Sequence, residues 1–274
     1  MGGITVESAS ALRFATTRLA TGPQLHYVER GDLDGEPILF LHGWPDSWFS
    51  FSRVLSLLPR HFRAFAIDQR GFGDSERPDC GYGIDNLAAD AAAFLDAIGV
   101  ERATVVGHSM GSFIARRVAA ENPDRVARLV LIGSGLAAVN PVTSAVQEGL
   151  SKLPDPIPME FIRSFQAGTA YVPLPQAFFA GIVAESAKLP ARLWRATFAG
   201  LLGYDDVEQL GRIAVPTLLL WGDRDELFSQ QDQDGLLATI PNARLKVYPK
   251  TGHCPNWERP DLVVADLDAF VQET

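Results

Sequence analysis

Cysteine is scarce in this sequence, with only Cys80 and Cys254 among 274 residues. Two cysteines so far apart do not make the disulfide framework of a small secreted domain, and neither stands in a spacing that metal ligands use. We therefore expect two free thiols in a reducing compartment.

Long apolar runs are missing as well. No stretch approaches the roughly 20 residues needed to span a bilayer, and residues 1–12 lack the basic and apolar segments of a secretory signal. A cytoplasmic protein with no membrane partner is the resulting expectation.

Basic residues are outnumbered by acidic ones. The 24 lysines and arginines against 33 aspartates and glutamates give a formal net charge of −9 at pH 7. Because nucleic acids and anionic membranes repel an acidic surface, neither is an expected partner. The net charge does not exclude a small neutral substrate.

Apolar residues are abundant enough for a large core, at 47% of the chain. Short β-like segments alternate with segments of helical period, as residues 85–98 and 112–121 illustrate. Apolar strands separated by helices predict an α/β fold, with a mostly parallel sheet covered by helices on both faces. The predicted strands are residues 14–19, 24–30, 38–41, 62–67, 103–106, 127–132, 217–221 and 243–248, and a terminal helix is predicted at residues 260–272.

One region breaks this alternation. Residues 136–210 are rich in proline and aromatic side chains and have helices and loops but no strand pattern. We predict that they form a helical cap (lid) inserted into an α/β core domain made of residues 1–135 and 211–274. An ordinary helical excursion with no role in a site is the alternative.

The most informative motif is Gly107-His108-Ser109-Met110-Gly111, which stands between a predicted strand and a predicted helix. A serine on so sharp a turn is a nucleophile elbow, and small residues must flank it because the backbone is strained. The elbow predicts that Ser109 is a nucleophile. It points to serine hydrolase chemistry.

A serine hydroxyl needs a base, and the base needs an acid that holds it in one tautomer. In the fold that the elbow implies, the chain order is serine, acid, histidine. His253 is the histidine that follows Ser109 at a distance, on a loop after a predicted strand. Asp225 follows another strand end and is the predicted acid, with Asp223 and Glu226 as alternatives.

The oxyanion of an acyl-transfer intermediate is stabilised by two backbone amides. We predict that Met110, directly after the nucleophile, supplies one and Trp44 the other, since Pro45 has no N–H. The Trp44 indole is also predicted to line the substrate pocket. His108 is predicted to shape that pocket or pack beside it, and His42 to be a structural hydrogen-bonding residue.

Two further segments have structural interpretations. Residues 68–75, Asp-Gln-Arg-Gly-Phe-Gly-Asp-Ser, follow a strand and are predicted to be a structured loop. Glu258-Arg259-Pro260 is predicted to start the terminal helix and to hold a local ion pair.

Together these motifs resemble the α/β-hydrolase fold superfamily across nearly the whole chain. The matching stretches are His42-Gly43-Trp44-Pro45, residues 68–75, Gly107 to Gly111, Trp221 to Asp225 and Gly252-His253. The resemblance implies a Ser109–Asp225–His253 triad with Trp44 and Met110 as oxyanion donors. The His-Gly-Trp-Pro stretch and residues 68–75 resemble epoxide hydrolases and dehalogenases, but those families use an aspartate nucleophile where this chain has Ser109.

The chain also resembles α/β-hydrolases that use a serine nucleophile, which are the serine carboxylesterases, the lactonases and the cofactor-free haloperoxidases (perhydrolases). The expected function is hydrolysis of small to medium, largely apolar esters or lactones, with no metal or cofactor implied. Alternatives are perhydrolase or amidase activity and C–C bond hydrolysis. A ligand sensor is a further alternative, because the cap resembles that of small signalling hydrolases related to strigolactone receptors.

Overall fold

The computed structural model describes residues 11–273, so the first ten residues and the last residue of the predicted core domain lie outside it. Within this range the strands form one sheet in the order β1-β2-β4-β3-β5-β6-β7-β8. The strands are β1 (Arg13–Arg18), β2 (Gln24–Arg30), β3 (Glu36–Leu41), β4 (Phe62–Ile67), β5 (Ala103–His108), β6 (Val126–Ile132), β7 (Thr217–Gly222) and β8 (Ala243–Tyr248). β1 and β2 pair antiparallel, β2 pairs antiparallel with β4, and all other pairs are parallel. The predicted mostly parallel α/β sheet is confirmed.

The central strands are apolar on both sides because both faces of the sheet are covered. Side chains of successive strand residues point to opposite faces, so Leu39 and Leu41 join one buried cluster while Ile38 and Phe40 join the other. Helices α2 (Ile84–Ala97) and α3 (Met110–Glu121) pack in the first cluster. Helices α1 (Ser52–Leu57) and α10 (Pro260–Gln272) pack in the second.

Residues between β6 and β7 are helical, without a strand in this described stretch. The helices are α4 (Pro141–Ser151), α5 (Met159–Gly168), α6 (Gln176–Ala187) and α7 (Ala191–Leu202), followed by a 3₁₀ helix at Val207–Arg212. After β7 come α8 (Gln230–Thr239) and the short α9 (Pro255–Glu258). Further 3₁₀ turns occur at Trp48–Phe51 and Pro123–Arg125.

The sequence pattern did not predict α1 or α8. Helix α8 buries only Gln233 and Leu236, so it lacks the apolar stripe on which such predictions depend. It is instead started by a capping box, in which the Ser229 hydroxyl accepts from the Asp232 amide and the Asp232 carboxylate accepts from the Ser229 amide. No helix in residues 11–273 is both long and apolar enough to cross a membrane.

The topology places the functional candidates at one edge of the sheet. Strands β3, β5, β7 and β8 are parallel, and the segments that hold Trp44, Ser109, Asp225 and His253 follow their carboxyl ends. Loops at that edge of an open α/β sheet converge, and ligands bind among them.

Candidate active site

Ser109 occupies a strained turn between β5 and α3. Its backbone has φ 51° and ψ −120°, a left-handed region that disfavours a residue with a side chain. A Cβ on Gly107 would collide with the backbone of Gly111, and one on Gly111 would collide with the Leu41 carbonyl. Ser109 itself donates its amide to the Ile132 carbonyl at 2.9 Å. The surrounding packing therefore fixes the strained turn and leaves the half-buried Ser109 facing a cavity.

His253 is paired with Asp225 beside this turn. The His253 Nδ1 lies 2.9 Å from the Asp225 Oδ2, and their side chains are 3% and 0% exposed. The other Asp225 oxygen accepts the amides of Leu227 and Phe228 at 2.8 and 3.1 Å. A carboxylate held in this way keeps the Nδ1 proton on the imidazole and leaves the Nε2 as a proton acceptor.

The two alternative acids make other contacts. Asp223 is partly exposed and accepts the Lys250 amide at 2.6 Å, while Glu226 is exposed and lies at the rim of the cavity. Neither carboxylate forms a hydrogen bond with His253 in the described structure. The structure therefore brings Asp225 to His253.

The Nε2 of His253 is buried and has no hydrogen-bond partner among residues 11–273. Ser109 and His253 line the same cavity, but no hydrogen bond joins them in this structure. Such bonds are often long in a ligand-free site and shorten when substrate binds. A buried acceptor without a partner is suited to receiving a proton from the serine hydroxyl.

The two predicted oxyanion donors flank Ser109 as backbone groups. Met110 is the first residue of α3, and its amide makes no hydrogen bond to any described residue, as is also true of the Trp44 amide. A Cβ on Gly43 would lie 3.0 Å from the Ser109 Cβ, so the chain entering Trp44 passes close to Ser109. Neither amide is taken up by another described residue, so Trp44 and Met110 stay the predicted oxyanion donors, and an anion beside Met110 would also meet the positive end of the α3 dipole.

His42, predicted to be a structural residue, has both ring nitrogens hydrogen-bonded to backbone groups. Its Nδ1 donates to the Gly43 carbonyl at 2.8 Å, and its Nε2 accepts the Gln69 amide at 3.1 Å. Burial lowers the His42 pKa from 6.5 to about 4, so the ring is neutral near pH 7. A neutral ring is what this pattern of one donor and one acceptor requires.

The cavity has a volume of about 310 Å³, near the lower end of small-molecule sites. Its walls come from the sheet loops and from α4, α5 and α7, and no lysine or arginine side chain is among the described lining residues. Trp44 lines it, and its indole packs against Phe165, Trp194 and Phe198 while donating to the Thr197 hydroxyl at 3.0 Å. The site is therefore mainly apolar, with a few fixed polar groups.

His108 also lies in the cavity wall but chiefly contacts the histidine loop. Its Nε2 is 3.2 Å from the His253 carbonyl, and the two rings are 5.2 Å apart. Burial holds the pKa of His108 well below its usual value, with the nearby His253 lowering it further. A neutral His108 supports the position of His253 and presents an uncharged wall to a substrate.

Asp46 is a cavity residue that the sequence reasoning missed, although it directly follows the His-Gly-Trp-Pro stretch. It is 2% exposed and accepts the Gln166 amide nitrogen at 3.0 Å, while the same nitrogen reaches the Ser186 hydroxyl at 2.8 Å. Burial raises the pKa of Asp46 from 3.8 to about 7. The loop after β3 is thereby linked to α5 and α6 by one buried carboxyl group.

We predict that Asp46→Asn changes how stability depends on pH. Between about pH 4 and pH 7 the folded protein keeps the Asp46 proton that the unfolded chain has lost, so the free energy of unfolding falls as pH rises through that window. The variant lacks this fall, and its stability relative to the wild type should rise by up to about 1.4 kcal/mol for each pH unit. Urea denaturation at pH 5, 6, 7 and 8 measures this, with the exposed Asp79→Asn as control, and a constant difference would refute it.

The structure corrects the prediction that Glu258 takes part in a local ion pair. Its carboxylate forms no ion pair with a described cation but accepts three backbone amides, from Gly252 at 2.8 Å and from Tyr171 and Val172 at 3.0 and 2.9 Å. The His253 amide in turn donates to the Thr169 carbonyl at 2.9 Å. Glu258 therefore fastens the segment after α5 to the loop that holds His253, a role that only the folded chain reveals.

We expect Glu258→Ala to destabilise the protein by about 3 kcal/mol or more, because amides that donate to a charged acceptor are left without a partner. Urea denaturation of this variant, with the exposed Glu160→Ala as control, checks the prediction. Glu258→Gln keeps one acceptor and should lose less. Equal stability of the alanine variants at positions 258 and 160 would contradict it.

Three side chains with the spacing of metal ligands are instead bound to other groups of the protein. His26, Asp68 and Asp74 offer ligand atoms within 4.8 Å of one another. However, Asp68 already accepts from the His26 Nδ1 and the Asp74 amide, and the Asp74 carboxylate pairs with Lys188 at 3.0 Å. These contacts hold residues 68–75 as the structured loop that the sequence predicts.

Comparison with known proteins agrees with this architecture. A family model described as alpha/beta hydrolase fold matches residues 36–260. The chain is 32% identical to a non-heme chloroperoxidase of Streptomyces lividans, over 94% of this chain and 99% of that one. It is 30% identical to a 2-hydroxy-6-oxononadienedioate/2-hydroxy-6-oxononatrienedioate hydrolase of Pseudomonas putida, over 94% and 95%. It is also 30% identical to a bifunctional esterase/perhydrolase of Acinetobacter calcoaceticus, over 94% and 99%.

Proposed function

The chain belongs to the α/β-hydrolase fold family, and from this premise we propose that it is a serine hydrolase that cleaves small to medium, largely apolar carboxylic esters or lactones. The observation that carries the proposal is the cavity itself. It joins a nucleophile elbow at Ser109 to a buried His253 whose Nδ1 is held by Asp225 and whose Nε2 is unpartnered.

The proposed reaction begins when the Ser109 Oγ attacks the ester carbonyl carbon and the His253 Nε2 takes the hydroxyl proton. The carbonyl oxygen becomes an oxyanion that accepts the amides of Trp44 and Met110. The C–O bond then breaks as His253 passes its proton to the leaving alcohol. Water attacks the acyl-enzyme with His253 as base, which releases the carboxylic acid and restores Ser109.

Asp225 acts on the histidine and not on the substrate. Its buried charge stabilises the imidazolium that forms in each step, and its bond to the Nδ1 keeps the Nε2 aimed at the reacting atoms. In this proposal the predicted cap, residues 136–210, closes the cavity through α4, α5 and α7. Excluding water in this way strengthens the oxyanion contacts.

Perhydrolysis is a second candidate, favoured by the chloroperoxidase and esterase/perhydrolase relatives. It uses the same acyl-enzyme, with hydrogen peroxide in place of water, and yields a peracid. The two reactions differ only in the second step, so the ratio of peracid to acid formed at fixed peroxide concentration separates them.

Hydrolysis of a dioate, as the name of the Pseudomonas putida relative states, fits this cavity less well. A substrate with two carboxylates is best recognised by arginine or lysine. The described cavity wall has neither, while Asp46 and Glu226 bring carboxyl groups to it. The charge of the cavity therefore favours a neutral ester or lactone.

A fluorophosphonate probe combined with a series of p-nitrophenyl esters tests the proposed function. Labelling and turnover that are both present and both lost in Ser109→Ala would support a serine hydrolase. Labelling with negligible turnover would favour a ligand sensor, and absence of labelling would show that Ser109 is not activated.

A further inference from the structure

Outside the catalytic cavity, an apolar groove runs along the surface of α4 and reaches α5. It has no polar side chain among its lining residues, which are Pro141, Val142, Ala145, Val146, Gly149 and Phe161. Val142 is 43% exposed. We call this surface the α4 groove.

The α4 groove adjoins the catalytic cavity. Val142 and Val146 line both of them, so the two apolar surfaces meet at these side chains of α4, and Val142 is exposed there. The exposed residues that line the cavity mark its mouth, and they are Val142 on α4, Ser164 and Gly168 on α5, and Glu226 after β7. A chain leaving through this mouth meets the groove directly.

The size of the cavity makes this exit necessary for longer substrates. About 310 Å³ holds a small ester, whereas ligand sites extend up to about 1,000 Å³. The carbonyl must stay at Ser109 during reaction, so the surplus length of a longer chain has to pass the mouth. Water would cover that surplus unless an apolar surface received it.

We propose that the α4 groove binds the distal part of an unbranched apolar chain whose ester group lies at Ser109. The proposal rests on the ester hydrolase function and extends its substrate class to medium-length acyl or alkyl chains. Each methylene moved from water onto the groove raises kcat/KM by about fourfold when fully buried, and by less on an open surface.

Charge disfavours a bilayer as the occupant of the groove. Glu226 lies at the cavity rim and the chain has a formal net charge of −9, which an anionic membrane would repel. The apolar chain of a substrate needs no membrane to reach the groove, because the ester group at Ser109 already fixes one end of that chain.

The test compares p-nitrophenyl butyrate with p-nitrophenyl decanoate on the wild type, Ala145→Glu and Gln147→Glu. Ala145 lines the groove but not the cavity, and Gln147 is exposed on the same helix outside both, so the two variants add the same charge in different places. We expect Ala145→Glu to lower kcat/KM for decanoate by about tenfold, as the loss of roughly two methylenes that are each buried in part would. The kcat/KM of Ala145→Glu for butyrate should equal that of the wild type. Gln147→Glu should have wild-type kcat/KM for both esters.

An equal loss of kcat/KM for both esters, or no loss for decanoate, would overturn the proposal that the groove binds the chain. Turnover of butyrate by the wild type would still support the ester hydrolase function. A second measurement covers the case in which no ester is hydrolysed. Calorimetric binding of 1-decanol and 1-butanol to Ser109→Ala, with and without Ala145→Glu, should show a weakening for decanol alone. Binding of phosphatidylcholine vesicles that is lost in Ala145→Glu, with unchanged decanol binding, would assign the groove to a membrane and refute the proposal.

Discussion

Replacing Ser109 by alanine is expected to lower kcat for p-nitrophenyl butyrate by a factor on the order of 10⁴ to 10⁶. The remaining His253 and Asp225 have no nucleophile to activate, so only the oxyanion amides and substrate binding can still accelerate attack by water. KM should change little, because the hydroxyl contributes little to binding in the ground state. Labelling by the fluorophosphonate probe should disappear completely.

Ser164→Ala is the matched control for this experiment. Ser164 lines the same cavity, but it is exposed at the mouth and far in sequence from the elbow. Its loss should leave kcat within about threefold and labelling intact, since surface substitutions usually have small effects. A Ser109→Ala variant that still reacted with the probe would assign the nucleophile to another residue.

The sequence predicted the triad candidates because each stands at the end of a recognisable strand. The strands β5, β7 and β8 have alternating or wholly apolar patterns, and the position after each strand end is a local property of the chain. Ser109, Asp225 and His253 could therefore be named before their contacts were known. Their parallel arrangement then brings them to one edge of the sheet.

The residues that the sequence did not reveal act through contacts between distant segments. Asp46 meets Gln166 of α5, and Glu258 accepts amides from residues 171 and 172. A lone acid carries no periodic signal, so the sequence pattern predicted nothing for Asp46 and only a local ion pair for Glu258. Only the packing of the helices between β6 and β7 against the sheet loops gives these carboxyl groups their partners.

Asp225→Asn is expected to lower kcat by about 10⁴ while the fold remains intact. The amide oxygen can still accept from Leu227 or Phe228, but an amide group turned toward the Nδ1 donates where the carboxylate accepted, which favours the wrong tautomer of His253. The charge that stabilised the imidazolium is also lost. The measurement is kcat on p-nitrophenyl butyrate, with circular dichroism to verify folding.

Asp223→Asn separates this effect from the general loss of an acid near the histidine loop. Asp223 holds the Lys250 amide at 2.6 Å and does not contact His253, so an asparagine oxygen replaces its contact and kcat should stay within about threefold. The reverse result, with Asp223→Asn inactive and Asp225→Asn active, would make Asp223 the catalytic acid. Full activity in both variants would mean that neither carboxylate orients His253. Loss of the carboxylate that holds the His253 tautomer must lower kcat.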